Sequence, residues 1–578
     1  MPACSMLALL EVTGHGRQMN REDLFNPKTL VNDATAGLTL GIESIPDAMA
    51  SALLAAANPI NGLYAVMLAT PVGALFASSV FMSVQTTSAM SLVVADVPQV
   101  HTSDDPTGAL FMLAILTGII MLTMGLLKLG FVLRFVSNAV MTGFINGVAL
   151  LIILGQLDNL TGFSSEESNK ILRTFNLLRN LGEVHSQTLI IGLVTILLIV
   201  VLSRTKLKSF GMVLALIVAS LMVPIFSWDT VARVADIAEI PNSLPHPVLP
   251  SFSMIPALLI PAFSLAFVGL VQGAGVSQNY VNPDGEYPDS SGDFRGQGVA
   301  NIAAGFFQGM PVGGSLSATA LVHSSGARTR FANIFAGIII AVSLLLFGDA
   351  VSALAMPSLA GLLIVVGFQT LKPDDIVQVW KTGQVQKLVL VTTFASTLII
   401  PLQYAVLLGV ILSTVLFVIR QSNKITIKQW VFEPGQVLPI EKDPPEVLPS
   451  NQVTILRPYG SLFYAAASVF EEQLPEIMDD TRHAVMILNL RGREELGSTF
   501  LEVIERYSDN LKQQECRLML SEVKPELYEQ MRDTGHVDAF AIENFFIRTR
   551  KVGEATIAAY RQALDWVEAV SERKPESP

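Results

Sequence analysis

Residues 83–95 read SVQTTSAMSLVVA and carry no charged side chain, yet they are rich in Ser, Thr and Gln. A bilayer-crossing helix takes about 17–25 residues, so this piece is too short to span and too apolar for a surface loop. A second piece of the same kind, GSLSATALVHSS at 314–325, lies further along. Each reads as a half-helix that ends inside the membrane. Outward from the first piece, apolar runs long enough to cross fall near 35–57, 62–79, 107–128, 135–157, 186–203 and 208–226. Around the second they fall near 254–276, 294–310, 328–347, 350–371, 384–402 and 403–420. The pattern is two sets of seven, each with a short, broken third member. That is the signature of two repeats, and the odd number inverts one against the other.

Composition agrees with a hydrocarbon solvent. The 578 residues are 51% hydrophobic and 15% charged, with mean hydropathy +0.51, against about 25% charged for soluble proteins. Of 37 Lys and Arg and 49 Asp and Glu, 15 and 22 lie in the last 128 positions. Two physically different parts are therefore joined. With a cytoplasmic N-terminus, Lys128, Arg134, Arg204, Lys206, Lys208, Arg295, Arg328, Arg330, Lys372 and Lys381 fall on the cytoplasmic side. Lys170, Arg173, Arg179 and Arg233 fall outside. The count puts both termini in the cytoplasm of a multi-pass plasma or inner-membrane protein. Net charge −12 and pI near 5.2, without a basic stripe, argue against nucleic acid as a partner.

The expected organisation is an N-terminal cytoplasmic segment 1–33, a transmembrane domain 34–420, a linker 421–450, a soluble domain 451–570 and a tail 571–578. The polar residues 11–33 lack a secretory-signal pattern. The linker rests on the Pro-rich EKDPPEVLPSN and the lack of helical periodicity. In the soluble part VTILRPYGSLFY, HAVMILNL and RLMLSEV are strand-like, and LEVIERYSDNLKQQE and PELYEQMRDTG have helical spacing. Their alternation predicts a small α/β domain. Cys4 and Cys516 supply neither a disulfide framework nor a thiolate metal site, and the dispersed His residues have no metal-ligand spacing. No phosphate-cradling G-x-x-x-x-G-K-S/T loop occurs. The expected reaction is transport, with no catalytic group and no cofactor.

Several strings, in order, resemble the sulfate permease (SulP) family of inorganic anion transporters over about residues 25–570. AGLTLGIESIPDAMASALLAA resembles the family's first span and GLYAVMLATPVGALFASS its second. FVSNAVMTGFINGVALLIILGQL resembles the fifth, and GQGVANIAAGFFQGMPVGGSLSATALVHSSGARTR the ninth and tenth. The C-terminal domain resembles a STAS domain. The resemblance implies an α-helical polytopic membrane protein of 14 spans in 7+7 inverted repeats, with a uracil-permease-like core and gate. It also implies a homodimer embedded in a lipid bilayer, and a small cytoplasmic α/β STAS domain open to a cytoplasmic partner. The substrate is then held between the two half-helices.

Half-helix starts at mid-membrane aim unsatisfied N–H groups and positive dipole ends at one point, which suits a small oxyanion such as sulfate or bicarbonate. The binding candidates are Ser83, Gln85, Thr86 and Thr87, with Ser88 beside them, and Gly314, Ser315, Leu316 and Ser317. Ser and Thr at such places also serve close helix packing. Many family members resemble G-S-x-S-R-T-A at the second piece, and this chain has Ala318 at the Arg position. In the first span Asp47 stands where the family usually has Gln, with Glu43 one turn earlier. In the eighth, Gln272 stands where many members have an acid. Carboxylates inside a membrane cost about 2.5 kcal/mol or more and mark ion paths. Asp47, Glu43 and Gln272 are therefore the ion-coupling candidates, with Asp47 taking a proton or sodium and Gln272 a neutral hydrogen-bonding role.

His323 and Asn146 fit packing roles better than chemical ones. Ser498 occupies the place of a phosphorylatable Ser in anti-anti-sigma relatives, with Gly497 in place of their Asp. It is a regulatory candidate that also suits an N-cap. The expected activity is secondary active transport of a small anion by an elevator-like symport. The rivals are a nucleobase-type proton symporter and a non-transporting STAS-coupled sensor.

Overall fold

The computed structural model describes residues 27–571 except 132–135, 164, 166, 168, 206–209, 238–239, 423, 434–437, 461 and 463. Cys4, most of the 1–33 segment, the tail beyond 571 and the orienting residues Arg134, Lys206 and Lys208 lie outside the described residues. The chain forms two compact units, Met1–Ser413 and Thr414–Pro578.

In the first unit each expected segment holds a helix. In order these are α1 (Pro27–Leu54), α2 (Pro59–Phe76), strand β1 (Ser83–Gln85) with α3 (Ser88–Ala95), α4 (Pro106–Leu126) and α5 (Asn138–Gly155). A short amphipathic α6 (Lys170–Arg179) precedes α7 (Ser186–Leu202) and α8 (Gly211–Ile225). The second set is α9 (Ile255–Asn279), α10 (Ser290–Phe306), strand β2 (Gly313–Ser315) with α11 (Leu316–Ser324), α12 (Phe331–Ser352) and α13 (Met356–Thr370). The amphipathic α14 (Pro373–Thr382), α15 (Gln384–Ile399) and the first part of α16 (Leu402–Ser422) complete it. Six of the described helices are long and apolar enough to cross a membrane.

The starts are local chemistry. Asn58 and Asp105 cap α2 and α4 ahead of a proline, Ser137 caps α5, and Asp289 caps α10 by accepting from Ser291 and Gly292 N–H. α1 begins before the expected apolar run because buried Asp33 has a use there. One carboxylate oxygen accepts from the N–H groups of Arg328 (2.6 Å) and Thr329 (3.1 Å), and the other from the Thr329 hydroxyl. That ties α1 to the turn before α12.

Packing sorts the helices into two bundles. α10 lies against α4, α2 and α9, and α12 against α1 and α2, forming one bundle. α5 with α15 and α13, and α7 with α13 and α8, form the other. They meet where α1 touches α13 and α8, and where α3 touches α5.

The second unit holds a six-stranded sheet in the order β4-β3-β5-β6-β7-β8. Its strands are β3 (Thr426–Val431), β4 (Ile440–Lys442), β5 (Val453–Tyr459), β6 (Val485–Asn489), β7 (Arg517–Val523) and β8 (Phe545–Ile547). β5 to β8 pair in parallel and β3 and β4 add antiparallel. Helices cover both faces, and every residue of β6 is buried, as a parallel core strand requires. One face packs Phe470, Phe500 and Leu520, and the other packs Ile455 and Met519 on Ala559 and Ala563 of the last helix. Here α17 is Ser498–Gln513, α18 Pro525–Asp533 and α19 Glu554–Ser571.

Two expectations need adjustment. The stretch 421–450, read as linker, supplies β3 and β4. Alternation in TIKQWV is enough for a strand when β5 offers an edge, with Gln429 opposite Leu456. Ser498 is not an N-cap: Gly497 holds that place, Ser498 is the first helical residue, and its exposed hydroxyl makes no capping bond.

Candidate anion site

The two half-helices meet through their leading strands. β1 and β2 pair antiparallel with Ser83 opposite Ser315, Val84 opposite Gly314 and Gln85 opposite Gly313. A two-stranded ribbon thus joins the two half-helices, β1 leading into α3 through Thr86 and Thr87 and β2 directly into α11. Thr87 caps α3, its Oγ1 accepting from Met90 N–H at 3.4 Å, and Ser315 caps α11, accepting from Ala318 N–H at 3.3 Å. The remaining first-turn N–H groups have no partner within their helices.

Polar side chains from neighbouring helices hold the ribbon. Asn301 grips Val312 in both directions, Nδ2 donating to its carbonyl (2.7 Å) and Oδ1 accepting from its N–H (2.9 Å). Gln297 Oε1 accepts from Gly314 N–H (2.9 Å), and Asp293 takes the N–H and hydroxyl of Ser79 (both 2.7 Å). Asp293, Gln297 and Asn301 lie four residues apart on one fully buried stripe of α10. From the other side Thr70 donates to Val84 O (3.1 Å), and Asn333 Nδ2 donates to Phe81 O (3.4 Å) and Met82 O (3.2 Å). Thr70, Asp293, Gln297, Asn301 and Asn333 are not among the candidates read from the sequence. Polar side chains at a four-residue interval in an otherwise small, apolar helix are the signal that could have found the α10 stripe.

In front of the ribbon lies a cavity of about 1080 Å³. Gln85, Thr86 and Thr87 line it from the first half-helix, and Ser315, Leu316 and Ser317 from the second. Glu43, Asp47 and Gln272 complete the set from α1 and α9, while α5 and α13 of the other bundle form the facing wall. Within it Thr87 Oγ1 donates to Gln272 Oε1 (2.9 Å) and Gln85 Nε2 to Ser44 Oγ (2.9 Å). Thr86 Oγ1 and Glu43 Oε2 are buried without a hydrogen-bond partner. Among the described residues nothing bonds the Asp47 carboxylate. Unpaired polar atoms facing a cavity are groups waiting for a ligand or water.

Two candidates fall outside the lining. Ser83 is buried behind the ribbon, its hydroxyl donating to Asn333 Oδ1 (2.5 Å) and its N–H to Thr319 Oγ1 (3.1 Å). Gly314 faces α9, where an added Cβ would stand 2.8 Å from Gly273 Cα. Both build the ribbon instead of facing a ligand. Asn146 lines the cavity and bonds within and between helices, and exposed His323 rests against the rings of Phe81 and Tyr280. Among the described residues no group of His, Cys, Asp and Glu forms a metal site.

Two bundles with a pair of interrupted helices crossing in one of them define a secondary-transporter architecture. The Sulfate permease family model matches residues 30–393 and the STAS domain model residues 445–550, and the chain belongs to the Sulfate permease family. It is a multi-pass membrane transporter with a C-terminal STAS domain. A Mycobacterium tuberculosis protein named "Probable sulfate transporter Rv1739c" is 27% identical over 535 residues, covering 90% of this chain and 94% of the relative. The fold matches murine Solute Carrier 26 family member A9, an anion transporter in the inward-facing state. Its TM-score is 0.81 at 19% identity, over 97% of this chain and 98% of that one. It also matches the transmembrane domain of the cyanobacterial bicarbonate transporter BicA, with TM-score 0.56 at 22% identity over 67% and 98%.

Proposed function

We propose that the protein moves a small inorganic anion, sulfate or bicarbonate, across the membrane together with a proton or sodium ion. The observation that carries this is the convergence of two half-helix starts on one cavity that also holds unpaired acids. First-turn N–H groups and the hydroxyls of Thr86 and of the Ser315–Ser317 pair replace water around the anion, while Thr87, its proton given to Gln272, holds the half-helix start in place. Asp47 binds the coupling ion and Gln272 keeps Thr87 oriented. Because the cavity lies between the bundles, sliding the one that carries the ribbon past the other exposes the anion to each face in turn. The assembly is a homodimer with both termini in the cytoplasm, where exposed Ser498, at the positive end of α17, accepts a phosphate that alters partner contacts.

Thr86→Val tests the site itself. The change keeps shape and deletes only the unpaired hydroxyl. Sulfate or bicarbonate affinity of the purified protein is expected to fall about tenfold, since a hydrogen bond to an ion contributes roughly 1.5–3 kcal/mol. Thermal stability stays level or rises, because a buried orphan is removed. Unchanged affinity in a folded variant would contradict the assignment.

A further inference from the structure

The cavity is poor in the charge an anion needs. Ala318 leaves the second half-helix without a cation, and the lining carries the acids Glu43, Asp47 and Asp375. Among the described lining residues one side chain is cationic, Lys372. It sits between α13 and α14, in the bundle that does not carry the ribbon.

Its backbone is pinned. Lys372 N–H donates to Asn146 Oδ1 (2.9 Å), and Asn146, itself buried, donates from Nδ2 to Thr142 O within α5 (2.8 Å). The ammonium is held much more loosely. Its partner Asp375 lies 4.0 Å away, at the outer limit of an ion pair, and both side chains are about half exposed. A loosely paired lysine on a fixed backbone exchanges its partner for a passing anion at little cost, because exposed pairs contribute about 1 kcal/mol or less.

From this placement we infer that Lys372 is the cationic part of the anion site, supplied by the facing bundle. The inference rests on the anion-transport reading above. Its consequence is sidedness. The half-helices travel with one bundle and Lys372 stays with the other, so lysine and bound anion meet only in the arrangement seen here. Lys372 therefore tightens anion binding from the face to which this cavity opens. From the opposite face it contributes nothing.

The test is sulfate and bicarbonate transport measured in inside-out and right-side-out membrane vesicles for wild type, Lys372→Gln and Lys372→Arg. Lys372→Gln is expected to raise the half-saturating anion concentration about three- to tenfold on one face and leave the other unchanged. Lys372→Arg restores it, and the gap between wild type and Lys372→Gln narrows as ionic strength rises. Equilibrium sulfate binding to the detergent-solubilised proteins gives a second readout that does not need turnover. Equal half-saturation for Lys372→Gln and wild type on both faces, or the same weakening on both, overturns the role of Lys372 alone. A wild type that neither binds nor transports sulfate or bicarbonate overturns the transport reading and this inference with it.

Discussion

Asp47→Asn is expected to cut the accumulation of anion driven by an inward proton gradient sharply while leaving exchange at equal pH intact. The carboxylate lies on the cavity side of α1, one turn after Glu43 and beside Pro46, which interrupts the helix's own hydrogen bonding. No described side chain neutralises it. Charged, Asp47 repels an anion entering the same cavity; protonated, it does not. On the proposed reading with a proton as the coupling ion, proton and anion load together, and symport follows from electrostatics. Asparagine copies the protonated form permanently, so the cavity still takes the anion but no longer senses the proton. Gradient-driven accumulation is expected to fall at least about tenfold, with a flattened pH profile, as for the loss of a required charge state. Uptake into proteoliposomes at matched and unmatched pH measures both quantities. A variant with wild-type accumulation and pH dependence removes Asp47 from the coupling role.

Gly314→Val removes transport by a different route. The glycine lies where β2 crosses α9, and a Cβ there would stand 2.8 Å from Gly273 Cα and 3.3 Å from Met82 Sδ. The first of these is backbone and has no rotamer with which to yield. Making room pushes the ribbon off α9, strains the Gly314 N–H bond to Gln297 and opens the pairing with Val84. Overpacking of this kind costs roughly 1–3 kcal/mol and, at a site built to sub-ångström tolerance, costs function first. Uptake is expected to fall below detection with a lower melting temperature. Gly182→Ala, where an added Cβ meets nothing within 4 Å, serves as the control that leaves both unchanged. A Gly314→Val protein that transports normally would show that the ribbon does not position the site.

Much of the architecture was legible because a bilayer imposes a length. Residues 83–95 and 314–325 could not span, and that shortfall located both half-helices before any contact was known. Their meeting as a paired ribbon was not legible, since register between strands over two hundred residues apart leaves no local pattern. For the same reason Ser83 and Gly314 looked like ligand groups. A hydroxyl or glycine near a helix start reads alike whether it faces a cavity or a neighbouring helix, and only Asn333 and Gly273 decide the matter. Asp293, Gln297 and Asn301 were hidden for the opposite reason. Their spacing was visible, but attention to apolar runs passes over polar residues that hold backbone. In the second unit β3 was hidden because it is half-polar, and a strand of that kind is specified by its neighbours β4 and β5 more than by its own sequence.

The central claim is tested most directly by uptake of radiolabelled sulfate and bicarbonate into proteoliposomes, with and without an inward proton or sodium gradient. Uptake of at least one of these anions, raised by one of the two gradients, is the predicted result. Absence of uptake of either anion under every gradient, by protein that remains folded in the vesicles, would contradict it.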